Sequence, residues 1–98
     1  GQLKLHYSPG IPVTMNKKSA NKNQALICFG KTFKTRKNHF NLSKNGNLKE
    51  AANSLYKIMR KIKKRNFKSI AVTKIPDVGI GRAINDRLIK ASHKWIKK

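Results

Sequence analysis

Apolar residues fall along this chain in short blocks separated by polar and cationic runs, and the period inside each block predicts an element. Ile11 to Met15 is a brief apolar stretch, followed by the polar run NKKSANKNQ and by Ala25-Leu26-Ile27-Cys28-Phe29, which ends at Gly30. Short apolar runs closed by turn residues predict buried strands. From Lys31 to Asn41 the residues KTFKTRKNHFN alternate loosely and are crowded with cations, so propensity supports a solvated edge or loop there. Asn45-Gly46-Asn47 interrupts the pattern, and Asn47 followed by Glu50 resembles an Asx version of the capping box. Leu48, Ala51, Ala52, Leu55, Tyr56, Met59 and Ile62 then recur at helical spacing, which predicts a helix from Leu48 to Arg65. Its Lys57, Arg60, Lys61, Lys63, Lys64 and Arg65 gather toward the C-terminal end, where cations oppose the negative end of the helix dipole.

Ser69 to Thr73 is rich in β-branched residues and stops before Pro76, as a buried strand would. A second helix follows, with Ile80, Ile84, Leu88, Ala91 and Trp95 on one face. A helix lying between two buried strands points to a right-handed crossover. The expected fold is therefore α/β: a small Rossmann-like layered sandwich with a short, partly parallel sheet. Residues 1 to 12, with Gly1, Pro9, Gly10 and Pro12, have loop composition and form a linker arm ahead of a single domain at residues 13 to 98.

Composition changes this picture in one respect. The 98 residues, 38% apolar, can build one modest core, but 24 Lys and Arg against three acids give a net charge of +21. Such a field attracts polyanions, first among them nucleic acid or an acidic neighbouring domain. The joint richness in Lys, Asn and Ile is equally compatible with a biased amino-acid alphabet. The lone Cys28 cannot form an internal disulfide and reads as a small buried hydrophobe in an intracellular, cytoplasmic chain. No apolar stretch approaches the roughly 20 residues that span a bilayer, so no membrane partner is expected. The start, GQLKLHYSPG, lacks the apolar core of a signal peptide, and opening on Gly1 rather than methionine is expected of a piece of a longer protein.

The stretch VGIGRAINDRL, residues 78 to 88, lies where a nucleotide-binding fold would carry its phosphate loop. A dinucleotide fingerprint wants a third small residue where Ile84 stands, and an acid about 20 residues later on a following strand. Neither is present, and no Gly-Lys-Ser/Thr follows to make a Walker loop. Phosphate binding would rest on the helix N-terminus, whereas a tight turn needs only glycines that let strand and helix approach. Asp86, between Arg82 and Arg87 and one turn before Lys90, is better placed for a structural ion pair than for acid-base catalysis, which needs a partner group. His6, His39 and His93 are too scattered for a metal site, and Cys28 lies with none of them in ligand spacing. Phe33, His39 and Phe40 stand among four cations in KTFKTRKNHF, the mixture with which RNA-binding modules stack bases.

Three motifs together carry a resemblance. GQLKLHYSP, residues 1 to 9, NLKEAANSLYKIMRKI from Asn47, and GIGRAINDRL, residues 79 to 88, resemble in that order the C-terminal domain of the two-domain threonylcarbamoyl-AMP synthase, which joins a YrdC-like catalytic domain to this smaller one. His6, Tyr7 and Pro9 match the linker motif, and Gly79, Gly81, Asn85, Asp86 and Arg87 match the signature turn and helix. The resemblance lapses between about Lys31 and Lys44, and Val78 and Arg82 depart from the usual acidic and small or apolar residues. It implies an accessory domain without catalytic residues of its own, whose linker acts as a lid over the catalytic cleft through His6, Tyr7 and Pro9. The alternative is that these residues only staple the linker to the domain surface. It further implies a parent enzyme that uses ATP with Mg, L-threonine and bicarbonate to supply tRNA modification. The covalently linked catalytic domain is the implied partner, with a possible tRNA contact through the basic surface. Two rival readings of the residues remain at this point: a basic RNA-binding module, and a nucleotide-binding enzyme using the Gly79 to Gly81 loop.

Overall fold

A computed structural model describes residues 12 to 94. The elements run β1 (Val13–Thr14), β2 (Gln24–Cys28), β3 (His39–Asn41), α1 (Leu48–Lys64), β4 (Ser69–Val72) and α2 (Ile80–Lys94). This is the order that the hydrophobic pattern predicts, and β3 falls at the end of the cationic run. The strands form one sheet in the order β1-β4-β2-β3. Every pairing is parallel, a stricter arrangement than the partly parallel one expected, with Ala25 beside Ile70, Ile27 beside Val72, and Ile27 beside Phe40.

A parallel sheet must bury both faces, because its backbone offers no solvated side to alternate toward. Successive side chains point to opposite faces. Ala25, Ile27, Ile70 and Val72 accordingly join Ala51, Leu55, Ile58 and Ile62 of α1 and Ile84 and Leu88 of α2 in the main core. Leu26, Cys28 and Ala71 face the other way, onto Ala20 and Phe33 from the loops at residues 15 to 23 and 29 to 38. Helices therefore cover one face and loops the other. Residues 15 to 23 link β1 to β2 past the position that β4 later fills between them.

Each helix differs from its expected face by one residue. In α1 the buried line is Ala51, Leu55, Ile58 and Ile62, and Tyr56 lies a step round the cylinder, 44% exposed. Ile58, in place of Tyr56, completes the i, i+4, i+7 spacing of the stripe. In α2 the buried line begins at Gly81 and continues through Ile84 and Leu88, leaving Ile80 44% exposed at the first helical position. Trp95 lies outside the described residues. No helix among the described residues is long and apolar enough to cross a membrane.

Candidate functional site

All four strands run in one direction, so the domain has two unlike ends. At the C-terminal ends of the strands β3 leads into α1 and β4 into α2, the position at which open α/β sheets hold ligands. The start of α1 is closed by its own side chains. Glu50 N–H donates to Asn47 Oδ1 at 2.9 Å, as the capping pattern predicts. The Glu50 carboxylate does not reach back to the Asn47 N–H directly. Buried Ser43 stands between them, accepting from Asn47 N–H at 3.0 Å and donating its hydroxyl to Glu50. Asn41 extends the network, accepting from Ser43 N–H at 3.0 Å and donating to the Gly30 carbonyl at 2.9 Å.

The start of α2 is closed by packing. Gly79 adopts a φ of +50°, in the left-handed region that favours glycine. A Cβ on Gly81 would sit 1.9 Å from the Pro76 carbonyl oxygen and 3.3 Å from Leu48 Cδ2, so the helix can seat only on a bare backbone. Gly81 N–H donates to the Val78 carbonyl at 2.9 Å and Arg82 N–H to Gly79 at 3.1 Å. Asn85 ties the first turns back to the incoming chain, donating to the Ile75 carbonyl at 3.0 Å and to Asp77 at 3.4 Å. Arg87 lies 5.2 Å over the Tyr56 ring and donates to its hydroxyl, clasping α2 to α1. Asp86 pairs with Lys90 at 3.3 Å, both exposed. The sequence-predicted ion pair is therefore present, and as an exposed i, i+4 pair it contributes about 0.3–0.5 kcal/mol. Each carboxylate among the described residues thus has a polar partner: Ser43 for Glu50, Asn85 for Asp77 and Lys90 for Asp86.

The opposite end, where strands begin, is stitched from loops. Lys68 N–H donates to the Asn23 carbonyl at 3.2 Å, Asn38 to the Asn21 and Gln24 carbonyls at 3.2 and 2.9 Å, and the Arg65 guanidinium to the Lys37 carbonyl at 3.2 Å. Arg65 lies 5.7 Å from the Phe40 ring centroid and 5.6 Å from that of Phe67, and the two rings meet edge to face at 5.8 Å. The aromatics of KTFKTRKNHF are consequently taken up by the domain itself. Phe40 is buried, Phe33 packs against Leu26, Cys28 and Ala71, and His39 Nδ1 meets the Lys34 carbonyl at 2.9 Å. Base stacking on these rings, as read from the sequence, is corrected by this packing: Phe40 is taken up by the main core under the helices, and Phe33, half-buried, covers the sheet's second face. No group of three or more His, Cys, Asp or Glu that could hold a metal occurs among the described residues. Cys28 is fully buried, donates to the Leu26 carbonyl at 3.6 Å, and has its thiol pushed up from 9.0 to about 11 by loss of solvation.

Comparison with known families adds the decisive observation. The family model described as threonylcarbamoyl-AMP synthase, C-terminal domain, matches residues 1 to 93. The chain belongs to this family. Comparisons with curated proteins and with solved structures gave no match. In this member of the family, Gly79, Gly81, Asn85 and Arg87 all serve to seat α2 against the β4 exit and α1. Val78 is 63% exposed, an apolar residue in solvent beside the turn. The linker residues His6, Tyr7 and Pro9 lie outside the described residues. Ser43 and Arg65, which organise the two ends, carried no motif of their own; the only hint of Ser43 was its place four residues before a helix cap.

Proposed function

We propose that this chain is the accessory domain of a threonylcarbamoyl-AMP synthase and that its linker closes over the active site of a covalently linked YrdC-like catalytic domain. The parent reaction joins L-threonine, bicarbonate and ATP into threonylcarbamoyl-AMP with release of pyrophosphate, and the product serves tRNA modification in the cytoplasm. The observation that supports this reading is the extent of the family match, which begins at residue 1 and so takes in His6, Tyr7 and Pro9 together with the domain. Tyrosine offers a flat apolar body with a hydroxyl, neutral histidine both a donor and an acceptor, and the prolines stiffen the arm, which suits a lid over a nucleotide. ATP with Mg then binds the catalytic domain. The test is pyrophosphate release from ATP, threonine and bicarbonate. The isolated 98 residues release none, and in the full-length protein His6→Ala with Tyr7→Ala lowers the rate by about tenfold or more through misplacement of substrate. Activity in the isolated chain, or an unchanged rate in the double variant, overturns the proposal.

A basic module that contacts tRNA is the second reading. The placement of the acids along the strand direction favours it. Of the three acids, Glu50 and Asp77 sit in the connections that leave β3 and β4, and Asp86 is ion-paired on α2. The loops that enter the strands hold cations and no acid.

A further inference from the structure

We propose that the end of the domain where the strands begin is the docking surface for an RNA phosphate backbone. The proposal rests on the RNA-binding reading above and gives it a place. Three loops meet there: residues 21 to 23 ahead of β2, 36 to 38 ahead of β3, and 65 to 68 ahead of β4, joined by the Lys68–Asn23, Asn38–Asn21 and Arg65–Lys37 hydrogen bonds. These bonds bring the exposed Lys22, Arg36, Lys37, Lys64, Arg65 and Lys68 to one end of the molecule, although they are scattered over nearly half the sequence. No acidic residue lies in these loops or in the last turn of α1. The cluster therefore repels itself, and a surface that gathers like charges in this way is relieved by a polyanion.

Arg65 is the organised centre of the surface. Its guanidinium is held against Phe40 and Phe67 and by the Lys37 carbonyl, so little side-chain entropy is lost when its remaining N–H groups meet a phosphate. The surrounding lysines supply point charges that follow a backbone without reading bases. An acidic protein partner fits less well: tight protein interfaces centre on exposed aromatic or aliphatic anchors, and the rings at this end are turned inward. The surface thus reads phosphate, not base sequence.

The experiment measures binding of full-length protein to a labelled duplex RNA as a function of salt. Arg36→Glu/Lys37→Glu/Lys68→Glu is set against Lys17→Glu/Lys18→Glu/Lys49→Glu, which makes the same change in net charge in or beside connections at the other end of the strands. The first variant should bind more than about tenfold more weakly at low salt, with its log–log salt slope reduced by about 2 to 3, while the second stays within about threefold of wild type. Circular dichroism melts confirm that both variants are folded. If wild type binds RNA and the two variants lose affinity equally, the assignment to this end is overturned while the RNA-binding reading survives. If wild type binds RNA no better than an acidic polypeptide of equal charge, both are overturned.

Discussion

The sheet is covered by helices on one face and by loops on the other, and the two covers are built on different physical rules. On the helix face α1 and α2 contribute a periodic apolar stripe, with Ala51, Leu55, Ile62, Ile84 and Leu88 meeting Ala25, Ile27, Ile70 and Val72. On the loop face a smaller set, Leu26, Cys28 and Ala71, is closed by Ala20 and Phe33, single apolar residues inside otherwise polar and cationic segments. A helix delivers apolar area as a repeating unit, whereas a loop delivers it at isolated points. The consequence is that one cover is dense and the other thin, although the inner strands β2 and β4 are buried on both faces.

The largest effect expected tests how the helix cover is seated. Gly81→Ala places a Cβ 1.9 Å from the Pro76 carbonyl, where backbone must move, and should cost more than about 4 kcal/mol in urea unfolding or prevent folding altogether. A loss below about 1 kcal/mol would mean that α2 is not held by this approach. A direct contrast of the covers comes next. Ile62→Ala, at a fully buried helix position, should cost about 3 kcal/mol, and Phe33→Ala, half-buried under the loop, about 1 kcal/mol. Equal losses would erase the difference between the faces.

The smallest effect at neutral pH belongs to Cys28 on the loop face. Its folded-state thiol is raised from 9.0 to about 11, so the unfolded chain loses its proton first as pH rises. Stability contributed by the neutral thiol is complete below about pH 9 and is lost as pH climbs toward 11, by on the order of 2 kcal/mol. Cys28→Ala should remove that part of the alkaline slope in denaturant melts and leave the slope below pH 8 unchanged. A wild-type slope retained in the variant would show that the loop cover already admits water to the thiol.

Much of the fold was legible along the chain because it rests on local rules. The order of elements, the cap at Asn47, the extent of α1 and the termination of β4 before Pro76 all follow from period, capping chemistry and breakers acting within a few residues. The ion pair of Asp86 with Lys90 is local in the same sense. Tyr56 and Ile80 share the periodicity of the apolar faces yet lie exposed, because a hydrophobicity pattern cannot tell a stripe from its margin; the partner surface decides where the stripe ends. Phe33 and Phe40 read as displayed rings for the same reason, since nothing near them in sequence marks the sheet face they cover.

The candidate sites divide along the same line. Family membership was carried by contiguous motifs, and the chain by itself determined it, together with the positive field and the connections that bear the three acids. Only tertiary structure decided what those residues do in the folded domain. Gly81 is constrained by a carbonyl five residues away, Ser43 binds the start of a helix that follows it, and Arg65 meets Phe40 and Phe67 on either side of a crossover. The gathering of Lys22, Arg36, Lys37, Lys64, Arg65 and Lys68 at one end follows from parallel strands, which bring every entering loop to the same edge. Composition sets how much charge a chain carries, and strand direction sets where it collects.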